Sequence, residues 1–356
     1  MKKLFVVFTL LLMLGSVAEA DKKDKYVIGF YNLENLFDTE DDPAVNDEDF
    51  LPQGRNQWTE DKYAKKLDNM AKVIAKMAKA NGVFHSVLGV CEVENEKVLQ
   101  DLVSHPKLAD AGYEIAHHDS PDRRGIDVAF LYRPEHFEVQ YTEVIPFTFE
   151  GSSIDFVIDS QEQAEFRTRD VLMIHGQFEG EHFAFYVAHL PSRAGNKKGS
   201  VQLRQRGAEI IYNHAQKMMK EYPGIKIVCM GNMNDNPTDS SMTEYLNGRD
   251  KLGQVGEQDF FCPYTLLLKN GFGTLSYRGL WSIYDLQLVN HALAFAPDGG
   301  LKILADRKGY YGNVYKKGFL TNKRGKYKGT PYRTFSGGNF IGGYSDHYPT
   351  YIIIGK

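Results

Sequence analysis

Five apolar runs in this chain end in clusters of amide, carboxylate or imidazole side chains. The fullest is Ile225 to Pro237, IKIVCMGNMNDNP, where the run meets Gly231 and then Asn232, Asn234, Asp235 and Asn236. The others are Asn32 with Glu34, Glu92, His189 in VAHLPSRAG, and Ser345-Asp346-His347 following Gly342-Gly343. A continuous apolar run is the pattern of a strand buried on both faces. In α/β proteins, sites form at the carboxyl ends of such strands. Amide and carboxylate oxygens suit hard cations, and imidazoles move protons. Each cluster alone has a plainer explanation. Asx hydrogen bonds would account for the Asn-rich turn, helix capping for Glu92, a satisfied core position for His189, and a turn for Asp346-His347. If all five form one site, the two ends of the sequence must meet in space, which argues for a single domain over residues 21–356.

The elements that would position these groups are legible in outline. Lys25–Tyr31 and Val83–Val90 read as strands, as do Tyr113–His117, Asp127–Tyr132, Phe137–Pro146, Val171–Phe178 and Phe183–Leu190. Later strands are expected at Ile225–Met230, near Ile283–Val289, and at Tyr348–Ile353. Tyr63, Leu67, Met70, Ile74 and Met77 recur at steps of three and four, predicting an amphipathic helix over Thr59–Ala80 with its lysines on the opposite face. A second helix is predicted over Val201–Glu221. Strands outnumber helices and no solenoid period is visible, a mixture suited to two packed sheets with helices outside. Residues 38–49 are acidic and read as a solvated loop; they lack the glycine and closing glutamate of a calcium loop.

Residues 1–20 read as a secretory signal, with Lys2 and Lys3, an apolar core from Leu4 to Leu14, and Ala18-Glu19-Ala20 as the cleavage site. The apolar core is short for a membrane span and no other run approaches it. The mature chain is therefore expected to be soluble, without a transmembrane segment, monomeric, and exported to a periplasmic or extracellular compartment. Cleavage takes the formal net charge from −4 to −5, so an anionic partner would have to meet a local basic surface. Cys91, Cys229 and Cys262 form neither a disulfide framework nor a metal spacing, and the first two read as small core residues.

The motifs FYNLEN, GVCEVEN, GIDVAFLYRP, FRTRD, VAHLPS, MGNMND and YSDHYP occur in one order from about Tyr26 to Ile354. In that ordered set the chain resembles the endonuclease/exonuclease/phosphatase superfamily, the deoxyribonuclease I-like hydrolases. The resemblance implies an α/β (α+β) four-layer sandwich, two packed mixed β-sheets flanked by helices. It also implies divalent-metal-dependent hydrolysis of a phosphoester, with Mg²⁺ the expected ion and Mn²⁺ or Ca²⁺ as alternatives. By resemblance Glu92 is the principal metal ligand, with Asn32 and Asp346 beside it and Glu34 either a ligand or a supporting neighbour. His189 and His347 would flank the scissile phosphate, Asp285 in IYDLQLV would orient a histidine, and Asn234 would donate to the phosphate. Arg167, Arg169 and Arg193 are candidates for clamping the anion, because guanidinium matches phosphate oxygens bidentately.

One position departs from the family pattern. Where Gly-Asp-x-Asn is expected, the chain has Gly231-Asn232-Met233-Asn234. Asparagine can accept a hydrogen bond but cannot act as a base, and losing a general base typically costs about 10²- to 10⁴-fold in rate. Three accounts are open. The exchange serves to hold substrate without turnover, Asp235 or a histidine takes over, or the chain is a binding relative with weak turnover. Residues 308–335 interleave Lys316, Lys317, Lys323, Arg324, Lys326, Lys328 and Arg333 with tyrosines, a composition that suits a nucleic-acid backbone or a phosphorylated headgroup. Lys323, Arg324 and Lys326 are accordingly candidate substrate-binding residues. The leading expectation is a nuclease. The rivals are a phosphatase or phosphodiesterase acting on sugar, inositol or lipid phosphates, and a non-catalytic binding protein.

Overall fold

The structure is a computed structural model that describes residues 25–193 and 199–356; the signal-sequence reading lies outside the described residues. In chain order the first half runs β1 (Lys25–Leu36), α1 (Glu60–Asn81), β2 (Val87–Val93), α2 (Glu96–Val103), β3 (Glu114–His117), β4 (Asp127–Tyr132), β5 (Phe137–Ile145), α3 (Ser160–Glu165), β6 (Val171–Phe178) and β7 (Glu181–His189). The second half runs α4 (Ser200–Glu221), β8 (Lys226–Asn232), β9 (Gly248–Arg249), β10 (Phe260–Phe261), β11 (Leu275–Tyr277), β12 (Leu280–Ser282), β13 (Asp285–Asn290), β14 (Lys302–Leu304), β15 (Gly312–Val314), β16 (Phe335–Ser336), β17 (Asn339–Phe340) and β18 (Thr350–Gly355). One mixed sheet has the order β14-β18-β1-β2-β4-β3, with β15 also on β18; the other has the order β5-β6-β7-β8-β13-β10-β9.

The apolar runs are continuous because both faces of the central strands are covered. Along β1, Ile28 and Phe30 point into the core between the sheets, while Tyr31 and Leu33 point outward under α1. β2 divides the same way, Val87 and Cys91 inward and Leu88 and Val90 outward. On the other side Ala208, Ile211 and Ala215 of α4 cover the second sheet. Helix, sheet, sheet and helix form the four layers. The cysteines are all free and buried.

Three expectations need correction. The lysines of α1 do not all face away from the core: Lys66 is fully buried on the apolar stripe while Leu67 sits at its margin. The acidic loop is not uniformly solvated, since Asp38 and Asp47 are buried, Asp38 accepting from the Glu40 backbone and from Asn95 Nδ2. Gly231 does not break its strand; β8 continues through Asn232, and glycine is needed there because a Cβ would lie 2.1 Å from the Ala188 carbonyl oxygen.

Candidate active site

Two interruptions in strand pairing aim side chains at one end of the sandwich. The β1–β2 register shifts between Asn32 and Leu36, and the β2–β4 register shifts between Cys91 and Val93, at Glu92. Such bulges re-aim side chains next to active sites. Glu34, Asn35, Glu92 and Asn234 all hold left-handed backbone, φ +49, +55, +59 and +52°. Non-glycine residues are uncommon there, and strain of this kind gathers at functional sites.

The clusters converge. Asn32 Nδ2 donates to Glu92 Oε1 at 3.0 Å, and the Asn35 backbone N–H donates to Glu92 Oε2 at 3.1 Å. His189 Nε2 lies 3.9 Å from Glu92 Oε1. Strand register then places His189, Asn232 and Asp285 side by side on β7, β8 and β13. His347 Nδ1 stands 2.6 Å from Asp285 Oδ2. The Ser345 hydroxyl donates to the Asn32 carbonyl at 2.8 Å, tying Asp346 and His347 to the end of β1. The plainer explanations fail at two places. Asn95, not Glu92, caps α2, accepting from the Val98 N–H, and His189 is no satisfied core residue, because its buried Nδ1 has no hydrogen-bond partner among the described residues.

The two histidines are held in opposite charge states. Burial works against a charge on His347, but the adjacent Asp285 carboxylate outweighs it, raising the pKa to about 10. His189 is pushed well below its ordinary value, first by burial and then by the positive charges of Arg169, Arg124 and His347. The cluster thus sets one imidazole towards the proton-bearing form and the other towards the neutral form.

Glu34 is set apart from Glu92. Only 5% of its side chain is exposed against 17% for Glu92, and its oxygens accept from Arg333 Nε at 3.2 Å and the Thr334 N–H at 2.7 Å. Burial and the neighbouring Asp346 raise its pKa to about 7. Arg333 also donates to Asp346 Oδ2 at 2.8 Å. Lys66 Nζ reaches Thr334 Oγ1 at 2.6 Å and the Tyr344 carbonyl at 2.7 Å. Sequence reading missed Lys66 and the cluster role of Arg333. The available signal was a lysine three residues after Tyr63 and four before Met70, on the apolar stripe.

The three candidate arginines differ. Arg167 donates to the Ala164 and Phe166 carbonyls at the surface, away from the cluster. Arg169 is buried and spent on Asp122 and on the His189 and Leu190 carbonyls, so it fixes the end of β7 and leaves no fork for an anion. Arg193 lies near Asn234, donating to its carbonyl at 2.8 Å and pairing with Asp235 and Asp239. Asp235 is itself bound by Arg204 at 2.7 Å and by the Ser241 hydroxyl, and is 2% exposed. A buried carboxylate so thoroughly paired is a poor substitute for the missing base. Asn234 spends one amide hydrogen on the Leu190 carbonyl at 2.8 Å, and the other has no acceptor among the described residues. Lys323, Arg324 and Lys326 are exposed on a loop and make no hydrogen bond or ion pair to the cluster among the described residues.

Apart from this cluster, His117, Asp119 and Asp127 bring three potential ligand atoms within 4.8 Å of one another. Asp127 there already accepts from the Ser120 N–H at 2.9 Å and faces His117 at 3.3 Å.

The profile of the endonuclease/exonuclease/phosphatase family matches residues 27–356. The chain belongs to that family. Among solved structures it is similar to an endonuclease/exonuclease/phosphatase family protein from Bacteroides thetaiotaomicron, with 15% identity, a TM-score of 0.52, and coverage of 94% of this chain and 98% of that one. It is similar to D. rerio TDP2 complexed with a single-strand DNA product, with 14% identity, a TM-score of 0.52, and coverage of 93% and 99%. It is also similar to a Bacteroides thetaiotaomicron mannosyl-6-phosphatase, with 15% identity, a TM-score of 0.50, and coverage of 92% and 99%. No sequence among the curated proteins matches the chain. No helix of the described residues is long and apolar enough to cross a membrane.

Proposed function

We propose that the chain is an exported, divalent-metal-dependent phosphoesterase that hydrolyses phosphodiester bonds, with nucleic acid as substrate. The observation that carries the reading is the line from Glu92 through His189, Asn232 and Asp285 to His347. The residue types suit Mg²⁺, since Glu92, Asn32 and Asp346 offer hard oxygens rather than a thiolate and Glu92 remains partly reachable. A bound ion would supply Lewis-acid neutralisation of the phosphoryl oxygens. The chain's own residues provide the rest. His347, protonated against Asp285, donates to a phosphoryl or leaving oxygen, and neutral His189 accepts a proton or hydrogen bond beside it. The free amide hydrogen of Asn234 fixes a phosphate oxygen. Asn232 can orient a water through its carbonyl but cannot take its proton, so turnover is slow.

The test is a metal-dependent panel of plasmid, single-stranded DNA, RNA and small phosphoesters, run on this chain and on Asn232→Asp. Cleavage with Mg²⁺ that chelator abolishes supports the reading, and preference within the panel separates nuclease from phosphatase. Metal binding without hydrolysis of any substrate by either protein would replace it with a phosphate-binding role, for which Asn232 is the motive.

A further inference from the structure

A cavity of about 540 Å³ is lined by Phe319, Thr321, Asn322, Lys323, Arg324, Tyr332 and Tyr344. Two lysines of α1 lean over its aromatic wall. Lys72 Nζ is 5.5 Å from the Tyr344 ring centroid and Lys76 Nζ is 5.4 Å from that of Phe319. Cation–π contacts hold these ammonium groups in place without neutralising them. Among the described residues none of Lys72, Lys76, Lys323 and Arg324 has a carboxylate within 4.0 Å. Two unpaired charges on the lining, Lys323 and Arg324, with two more held against the rings of its aromatic wall, repel each other and concentrate anions. Each of the Tyr344 and Phe319 rings carries a lysine on one face, so charge accompanies the aromatic wall.

We infer that this cavity is a second anion site, built for a phosphate or polyphosphate group distinct from the one at the catalytic cluster. A charge of four matches a multiply charged anion better than a single carboxylate. The cavity also shares its wall with the cluster. Tyr332 precedes Arg333, which holds Glu34 and Asp346, and Tyr344 lies two residues before Asp346. An occupant therefore bears on the same segments that hold the cluster together. Binding at the cavity stands independently of the phosphoesterase reading; only the assignment of its occupant to a substrate rests on that reading.

The experiment is calorimetric titration of inorganic pyrophosphate into the full chain in chelator, where the catalytic carboxylates carry no cation to attract it. Saturable single-site binding is expected. It should weaken at least tenfold in Lys72→Gln/Arg324→Gln and be unchanged in Lys79→Gln, an exposed charge at the end of the same helix, with melting temperatures confirming that all three proteins fold. Absence of saturable binding, or equal weakening by Lys79→Gln, overturns the inference. This readout needs no turnover, so it can succeed where the substrate panel fails, and the reverse. A further arm identifies the source of the phosphate. If the double variant loses preference for a 5′-phosphorylated dinucleotide over the unphosphorylated one, the pocket holds the substrate's own second phosphate. If that preference is unchanged while pyrophosphate binding is lost, the occupant is a free anion.

Discussion

Asn232 and Asp285 stand opposite each other in the paired strands β8 and β13, an amide facing a carboxylate. His189 neighbours Asn232 on the other side, so the amide sits between the two histidine systems. Restoring a carboxylate there supplies a base at the position best placed to receive a proton. Asn232→Asp should raise Mg²⁺-dependent phosphoester hydrolysis roughly tenfold or more, measured as kcat at saturating substrate. Equal rates, with metal bound normally by both proteins, would remove Asn232 as the cause of slow turnover.

Asp285 holds the charge on His347. In Asp285→Asn the burial of His347 is no longer opposed at 2.6 Å, and its pKa falls from about 10. Protonated His347 is then lost at lower pH. The alkaline limb of the kcat/KM profile should move to lower pH, and the rate at pH 8 should fall by about 10²-fold. A variant that loses rate equally at every pH would show Asp285 acting through structure alone.

Lys66 anchors the segment that carries Arg333, Thr334 and Tyr344. Lys66→Met leaves the neighbouring buried Glu34 short of a cation and removes the donor shared by Thr334 Oγ1 and the Tyr344 carbonyl, which keep only the 3.3 Å bond between them. Breaking one side of such a buried arrangement costs roughly 3–5 kcal/mol, which urea denaturation should show as a large fall in midpoint. Replacement at the exposed Lys65 should leave the midpoint within about 0.5 kcal/mol of its starting stability.

His85 is fully buried, neither ring nitrogen has a partner among the described residues, and burial lowers its pKa to about 4. Between that value and the unfolded value of about 6.5, the unfolded chain binds the extra proton. Stability is therefore present above pH 6.5 and is lost as pH falls towards 4. The loss from this residue between pH 7 and pH 5 is about 2 kcal/mol. His85→Leu should flatten the acid side of a melting-temperature profile; a profile unchanged in slope would show that other groups set it.

The continuous apolar runs revealed the central strands, because strands covered on both faces need no alternation. They also revealed the polar strand ends, because short amides and carboxylates are conspicuous after Val, Ile and Met. The role of Arg169 was not legible, since an arginine beneath a strand end and one above a cleft look alike in one dimension; burial and the acceptors around the guanidinium decide. Lys66 was legible in principle from its place on the apolar stripe of α1, but its partners lie more than 260 residues away. The bulges at Glu92 and Asn32 leave no periodic trace, since each displaces a single residue.

β18 runs between β14 and β1, so a strand from the end of the sequence fills the middle of its sheet. Ser345, Asp346 and His347 arrive just ahead of it. A nascent chain emerging from the ribosome cannot close that sheet, or bring the Ser345 hydroxyl to Asn32, until residues 345–355 have been made. Until then the Asn32 carbonyl lacks the Ser345 hydroxyl and Asp285 lacks His347, so the polar cluster depends on contacts that span more than 300 residues in one case and 62 in the other.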